Sequence, residues 1–275
     1  MVLPKAKEKI GGLIVRDYSR LPKASKKSRY KWIELALENN LAILYTCTSD
    51  YFPELYYNDA PAMLLDSILN EVLVKYTIPK QNVFIGGMSA SGTRALQFEK
   101  FLRQGKSKFE NKLAGVFICD SPLDFERFYY SAEDILKRNH PKGMNEEAKW
   151  MMKSFPLMLG GTPYEVEAAY RKSSVFSYLA INGGNAAYFK ETPLLFFHEP
   201  DMDWWMAERN ATNKDINSFD IVGFHNALLN LGNNDVQVIA TSNKGFDAKG
   251  ERKPHSWTIV DESLLIDWIV KRCTE

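Results

Sequence analysis

The sequence predicts an α/β protein, a three-layer sandwich in which helices cover both faces of a mostly parallel sheet. Two observations support this prediction. Continuous apolar runs of strand length recur along the 275-residue chain, and segments with apolar residues at helical spacing lie between them. Strands of a parallel sheet are buried on both faces, so they read as unbroken apolar runs. Their alternation with amphipathic helices is the pattern of strand–helix–strand units.

The individual elements follow from the spacing of their apolar residues. The predicted strands are residues 11–15, 41–48, 81–87, 113–120, 192–199 and 235–241. The predicted helices are residues 28–40, 60–76, 91–105, 218–232 and 261–272. The strongest helical pattern is that of "APAMLLDSILNEVLVKY", where apolar residues recur at i, i+3, i+4 and i+7.

One connection between strands is too long for a single crossover. About 70 residues separate "VFICD" from "PLLFF", and they read as mostly helical and rich in aromatic residues. We therefore predict a core formed by residues 1–122 and 191–275. Residues 123–190 would form a helical cap insertion over one edge of the sheet.

The charge balance does not indicate a nucleic-acid partner, because the net charge is only +1. The charges are unevenly distributed, since residues 1–31 hold ten Lys or Arg side chains. We interpret this basic run as a solvated surface, with a contact surface for an anionic partner as the alternative.

The three cysteines, Cys47, Cys119 and Cys273, have neither the number nor the spacing of a disulfide framework or a CxxC site. No apolar stretch reaches the length of a membrane span. The first ten residues lack the apolar segment of a signal peptide. We expect a chain without a membrane span, cytoplasmic by default, with a mature exported form as the alternative.

The stretch "FIGGMSASGTRAL" places small residues between a strand and a helix. A dinucleotide-binding turn needs G-x-G-x-x-G and a phosphate loop needs Gly-Lys-Ser/Thr, and the spacing here fits neither. It does fit a nucleophile elbow, G-x-S-x-G, with Gly87, Ser89 and then Ser91 in place of the last glycine. The alternative is a small-residue turn that only allows a helix to pack on the sheet.

In its strand–turn–helix context, "GGMSASG" resembles the α/β-hydrolase superfamily, and the order of elements follows that superfamily across most of the chain. The resemblance implies an α/β-hydrolase-like sandwich with Ser89 as nucleophile. It also implies an acid and then a histidine further along the chain. His255 lies after the last strand and before the last helix, where the superfamily has its catalytic histidine. Of the other histidines, His140 reads as a loop residue, His225 as a helix-flank residue and His198 as a supporting residue at a strand end.

The resemblance places the catalytic acid after the strand "TPLLFFHE". Asp201 is the favoured candidate and Asp203 the alternative, both in "HEPDMDWWM". A metal site formed by His198, Glu199 and these two aspartates is disfavoured, because adjacent acids on one loop rarely complete a coordination shell. We expect Ser89 Oγ within hydrogen-bond reach of His255, with a carboxylate of the 201–203 loop at the other ring nitrogen.

The remaining site residues are predicted by position. The oxyanion hole would use the backbone N–H of Ala90 and a second donor from Tyr18 or Ser19, in the loop after the first strand. The substrate pocket would be lined by Met88, Trp204 and Trp205.

These residues predict a serine hydrolase that cleaves a carboxylic ester through an acyl-enzyme intermediate, with no cofactor and no metal. Its partner would be a small-molecule or acylated substrate. A peptidase or amidase with the same triad is one alternative, and a non-catalytic hydrolase-like binding protein is the other.

Overall fold

A computed structural model describes residues 1–5, 9–19, 30–49, 54–108 and 113–273. Within these ranges the chain forms a six-stranded sheet of order β2-β1-β3-β4-β5-β6 in which every neighbouring pair is parallel. The strands are β1 (Gly12–Tyr18), β2 (Leu41–Cys47), β3 (Val83–Met88), β4 (Gly115–Cys119), β5 (Leu194–His198) and β6 (Val236–Ala240). The predicted α/β architecture is thereby confirmed.

Nine α-helices accompany the sheet in the same ranges. They are α1 (Lys31–Glu38), α2 (Ala60–Tyr76), α3 (Ala90–Arg103), α4 (Phe125–Arg138), α5 (Asn145–Leu159), α6 (Pro163–Ser173), α7 (Met202–Arg209), α8 (Asn217–Asn230) and α9 (Glu262–Cys273). Short 3₁₀ segments occur at Ile181–Phe189, Asn213–Asp215 and Trp257–Ile259. None of the described helices is both long and apolar enough to cross a bilayer.

Two apolar cores lie on opposite faces of the sheet. Along β1, Leu13 and Val15 point into the core shared with α2, α3 and α8, while Ile14 points into the core shared with α1 and α9. This alternation follows from the two-residue period of a strand. Because both faces are covered by helices, both sets of positions are apolar, which explains the unbroken apolar runs in the sequence.

Two element boundaries differ from the prediction in ways that bear on the site. β1 continues past residue 15 to Tyr18, because it pairs with β2 over its full length. The segment predicted as an acid-bearing loop at 201–203 instead begins helix α7 at Met202. Asp203 is therefore a residue of the first helical turn rather than of a loop.

Helices α4, α5 and α6 occupy the long connection between β4 and β5. They bury an aromatic cluster of their own that includes Phe125, Phe155 and Tyr170. The later part of the connection packs differently, since Phe176 and Phe189 join the core beneath α3 and α8. The limits of a cap at residues 123 and 190 remain a prediction.

Candidate active site

The turn between β3 and α3 holds Ser89 in a strained conformation. Its φ is 53° and its ψ is −130°, outside the regions that residues with a Cβ normally occupy. The turn is held by hydrogen bonds on both sides: Ser89 N–H donates to Cys119 O at 2.9 Å, and Gly92 N–H donates to Ser89 O at 2.9 Å. Strain of this kind persists only where the surroundings fix it, and it is concentrated at functional sites.

The glycines beside Ser89 are needed for steric reasons. A Cβ on Gly87 would come within 2.5 Å of the backbone carbon of Ser91, and a Cβ on Gly92 would collide with the hydroxyl of Ser121. Gly87 is the first glycine of the predicted elbow. The sharp turn from strand into helix therefore depends on these small residues.

Asp120 lies next to this turn, at the end of the neighbouring strand. In the register of β3 and β4, Met88 is opposite Cys119, so the residues that follow them, Ser89 and Asp120, leave the sheet at the same height. Asp120 also has a positive φ, 45°, and it is 5% exposed. Its N–H donates to Phe197 O and its carbonyl accepts from the Asn217 side chain, so the backbone is held in place.

His255 is bonded to this carboxylate. The distance from His255 Nδ1 to Asp120 Oδ2 is 2.6 Å. Burial by itself would lower the pKa of His255, but the charge of Asp120 and its hydrogen bond outweigh that effect and raise the pKa above its ordinary value. Asp120 therefore stabilises the imidazolium and fixes the proton of the neutral ring on Nδ1, which leaves Nε2 as the basic nitrogen.

Ser89, Asp120 and His255 line one cavity of about 270 Å³. Phe128 of α4 and Glu147 of α5 form part of its wall, so the long connection between β4 and β5 contributes to the cavity. The rest of the lining is Pro122, Met144, Trp204, Trp205, Arg209, Asp215, Ile216, Asn217 and Lys253.

Two of the three predicted pocket residues line the cavity, and the third does not. Trp204 and Trp205 of α7 line the cavity, and their rings meet edge to face with centroids 5.0 Å apart. Met88 does not line it; its side chain packs against the core beneath α1 and α9.

The expected hydrogen bond from Ser89 Oγ to His255 is not formed, although both side chains line the same cavity. Such bonds are often long in ligand-free enzymes and tighten when substrate binds.

The Ala90 N–H, at the start of α3, makes no backbone hydrogen bond within the described ranges, so it is free to act as a donor. Tyr18 ends β1 and Ser19 follows it, buried, while residues 20–22 of the predicted loop lie outside the described residues.

The expected contact between Asp201, the predicted acid, and His255 is corrected, because Nδ1 of His255 is bonded to Asp120 instead. Asp201 Oδ1 accepts the N–H of Trp204 at 3.1 Å and caps α7, while its Oδ2 accepts from Arg252 at 2.6 Å. Asp203, the alternative acid, is exposed on the first turn of α7. The physical reason is the sheet register. Cys119 is opposite Phe197, so His198 stands level with Asp120 and Asp201 lies three residues further out.

Glu199 and Arg252 form a buried ion pair beside this region. Burial would raise the pKa of Glu199, but hydrogen bonds from Thr241, from the N–H groups of Gly245 and Lys244, and from Arg252 lower it. Arg252 precedes His255 by three residues, and it also donates to Gly245 O at 2.7 Å. The carboxylates at the end of β5 thus hold the loop that carries His255, and do not hold the imidazole.

A second buried network of hydrogen bonds and ion pairs joins helix α3, which follows the Ser89 turn, to the end of strand β1. Arg94 of α3 is fully buried and donates to Asp17 of β1 through Nε at 2.9 Å, and also to the carboxylate of Glu54. Thr48 and Tyr56 complete the network through hydrogen bonds to Asp17 at 3.0 and 2.8 Å. Breaking a buried pair leaves an uncompensated charge, so this network firmly ties the end of β1 to α3. Tyr18 and Ser19 follow directly after Asp17.

Among the described residues, no group of three or more His, Cys, Asp or Glu side chains is placed to hold a metal ion. His198 is buried with its Nδ1 unpartnered in these residues, and burial lowers its pKa. Most of the basic run at residues 1–31 lies outside the described ranges.

No protein-family profile and no curated protein matches the sequence. Solved structures do match the fold. A carboxyl esterase from Tuber melanosporum is 12% identical, with a TM-score of 0.58, over 98% of this chain and 79% of the esterase. A sugar hydrolase from Lactococcus lactis is 11% identical, with a TM-score of 0.55, over 99% of this chain and 93% of that one.

An acylaminoacyl peptidase from Pyrococcus horikoshii is 16% identical, with a TM-score of 0.54, over 98% of this chain and 37% of the peptidase. These structures share the α/β-hydrolase fold and are described as an esterase, a sugar hydrolase and a peptidase. The resemblance predicted from "GGMSASG" is thereby confirmed at the level of the fold.

Proposed function

We propose that this chain of α/β-hydrolase fold is a serine hydrolase with Ser89 as nucleophile, His255 as general base and Asp120 as the acid that orients it. One observation carries the proposal. His255 and Asp120 are joined by a hydrogen bond of 2.6 Å, and both line the same cavity as Ser89, which is held in a strained strand-to-helix turn. A nucleophile, a base and an orienting acid converging on one cavity is the arrangement that acyl transfer requires.

The reaction would proceed in two halves. His255 Nε2 takes the hydroxyl proton as Ser89 Oγ attacks the substrate carbonyl, and it then gives the proton to the departing alcohol, which leaves an acyl-enzyme. Water attacks the acyl carbon with the same proton route and releases the acid and free Ser89. Asp120 stays ionised throughout and stabilises the imidazolium that forms in each half.

The oxyanion of each tetrahedral intermediate needs donors already aimed at it, each worth about 3–4 kcal/mol of barrier. The N–H of Ala90 is one candidate, since it follows the nucleophile at the start of a 14-residue helix whose dipole favours negative charge there. We propose that the second donor is the N–H of Tyr18 or Ser19, which directly follow Asp17, the residue that Arg94 ties to α3.

We propose a carboxylic ester as substrate, with a small acyl or alcohol group. The cavity of about 270 Å³ is smaller than the usual site for a drug-sized ligand, and Trp204, Trp205 and Phe128 give it aromatic walls. A peptide or amide substrate with the same triad is the alternative within this chemistry. A binding protein without catalysis is the alternative outside it.

A fluorophosphonate probe tests the proposal, because it labels only an activated serine. We expect one covalent adduct per chain, located on Ser89 by peptide mapping. Ser89→Ala should abolish labelling, whereas the matched control Ser91→Ala, two residues along the same turn, should retain it. A folded wild-type chain that takes no label, or that loses the label only in the Ser91 variant, would refute the assignment.

A panel of p-nitrophenyl esters and the matching p-nitroanilides then separates the substrate classes. We expect turnover of the short-chain esters, and we expect the rate to fall as the acyl chain outgrows the cavity. Faster turnover of the anilides would favour the peptidase alternative.

A further inference from the structure

A second cavity, of about 260 Å³, lies between the start of α2, the outer half of α3 and the end of α6. It shares no lining residue with the cavity at Ser89. Lysines predominate among its charged side chains: Lys100, Lys106 and Lys172 face it together with the single carboxylate of Asp59. Its amide and aromatic lining includes Gln97, Gln104, Tyr56, Tyr57 and Phe101.

Lys100 is the unusual member of this set, since it is only 8% exposed. Its Nζ donates to the carbonyls of Lys172 and Ser174, both at 3.3 Å. Within the described ranges no carboxylate pairs with it. A buried ammonium that has only two long bonds to neutral carbonyls is poorly compensated for the loss of water.

The surroundings of Lys100 make its charge more costly. Burial, followed by repulsion from Lys106 and Lys172, lowers the pKa of Lys100 to about 7, and the attraction of Asp59 only partly opposes this. Asp59 is already engaged, since its Oδ2 accepts from Lys106 Nζ at 2.8 Å. Three ammonium groups and one carboxylate leave two positive charges at the cavity when Lys100 is protonated.

A bound anion of two charges would balance this excess. Phosphate carries about −1.5 to −2 charges at neutral pH and offers several strong acceptor oxygens, which suits a cavity lined by three lysines. The aromatic rings of Tyr56, Tyr57 and Phe101 leave room in the lining for an organic substituent on the phosphate.

We propose that this cavity binds a phosphate dianion, either inorganic phosphate or the phosphate group of a small organic molecule, with Lys100 as the central ligand and Lys106 and Lys172 beside it. The site is separate from the cavity that contains Ser89, and the proposal does not depend on the hydrolase assignment.

Isothermal titration of the full chain with inorganic phosphate and, separately, with phenyl phosphate tests the site. We expect saturable binding of one phosphate per chain, with Kd no weaker than about 1 mM. Tighter binding of phenyl phosphate would identify an organic phosphate as the occupant, and equal affinity would identify inorganic phosphate. Absence of saturable binding of either probe, or equal affinity for acetate, would overturn the proposal.

Three variants locate the bound anion. Lys100→Met should weaken phosphate binding at least about tenfold, the effect of losing one charge-assisted bond. Lys172→Met tests the same site at an exposed position that the fold does not need, and it should weaken binding as well. Lys153→Met, an exposed lysine on α5, is the charge-matched control and should bind like the wild type. Unchanged binding in both cavity variants, or loss of binding only in Arg209→Met, would overturn the proposal by placing the anion elsewhere.

Discussion

Strands β4 and β5 lie side by side and each is followed directly by an acidic residue, yet the carboxylates at the two strand ends have different partners. At the end of β4, Asp120 accepts from His255 at 2.6 Å in the cavity that Ser89 also lines. At the end of β5, Glu199 and Asp201 are both bound to Arg252. A carboxylate neutralised by a guanidinium holds a loop in place, whereas one that faces an imidazole can tune a base.

Under the proposed assignment, height above the sheet indicates the catalytic acid better than position along the chain does. Asp201 follows the expected strand in the expected order, but it lies three residues beyond the level of Asp120. Asp120 leaves the sheet level with Ser89, because the strands that carry them are in direct register. We therefore assign the proposed chemistry to the end of β4 and the support of the His255 loop to the end of β5.

The largest expected effect comes from removing the charge of Asp120. Asp120→Asn should lower kcat/KM for a p-nitrophenyl ester by about 10³–10⁴-fold, because the imidazole loses both its tautomer control and the stabilisation of its cation. The measurement is steady-state kinetics with thermal unfolding of the same sample. Asp203→Asn, an exposed neighbour on α7, is the matched control and should stay within about twofold of the wild type. A loss of less than tenfold in Asp120→Asn would separate Asp120 from the chemistry.

The next effect is on stability and comes from the other strand end. Arg252→Met leaves the buried Glu199 without its cation, so we expect the free energy of unfolding to fall by about 3 kcal/mol. This is the low end for a buried pair, since the Arg252 side chain is 16% exposed. Urea unfolding at neutral pH measures it. Lys249→Met, in the same loop but exposed, should change stability by about 0.5 kcal/mol or less; equal losses in the two variants would remove the supporting role of the ion pair.

The pH dependence should distinguish the two strand ends as well. Asp120 raises the pKa of His255, so the imidazole stays protonated, and inactive as a base, up to a higher pH. In the pH profile of kcat/KM, the midpoint of the acidic limb should therefore lie above 6.5, the ordinary pKa of histidine. An NMR titration of the His255 ring should give a lower pKa in Asp120→Asn than in the wild type. An unchanged ring pKa in that variant would contradict the assigned contact.

The smallest effect is expected for Asp201. Asp201→Asn keeps an acceptor for the Trp204 N–H that caps α7 and loses only the charge opposite a partly exposed Arg252. The free energy of unfolding should fall by about 1 kcal/mol or less. Urea unfolding of Asp201→Asn and Arg252→Met compares the loss of unfolding free energy in the two variants. A larger loss for Asp201→Asn would mean that Asp201, rather than Glu199, anchors the loop.

The sequence predicted the sheet and its covering helices well, because their periods are local properties. Helix α2 matches its predicted range of 60–76, with Pro61 in its first turn and Thr77 in a left-handed conformation at its end. Ser89 could be singled out for a similar reason: the small residues around it have a steric meaning that spacing alone reveals.

What the sequence did not reveal depends on residues far apart in the chain. Asp120 reads as the last residue of an apolar strand, and nothing local shows that it meets a histidine 135 residues later. The one available signal was that Asp120 directly follows the strand next to the nucleophile strand. Arg94 is hidden in the same way, since its partner Asp17 lies 77 residues before it. The sequence of an ordinary helix does not show that one of its arginines is buried; this becomes visible only when the positions of its acidic partners in the fold are known.

We propose that Asp120, and not Asp201, activates Ser89 through His255. The rate at which a fluorophosphonate phosphonylates Ser89, followed by intact mass in Asp120→Asn and Asp201→Asn together, tests it without any assumption about the substrate. We predict a rate at least about 10²-fold lower in Asp120→Asn and within tenfold of the wild type in Asp201→Asn. The reverse order, with Asp201→Asn slow and Asp120→Asn fast, would assign the acid role to Asp201 instead.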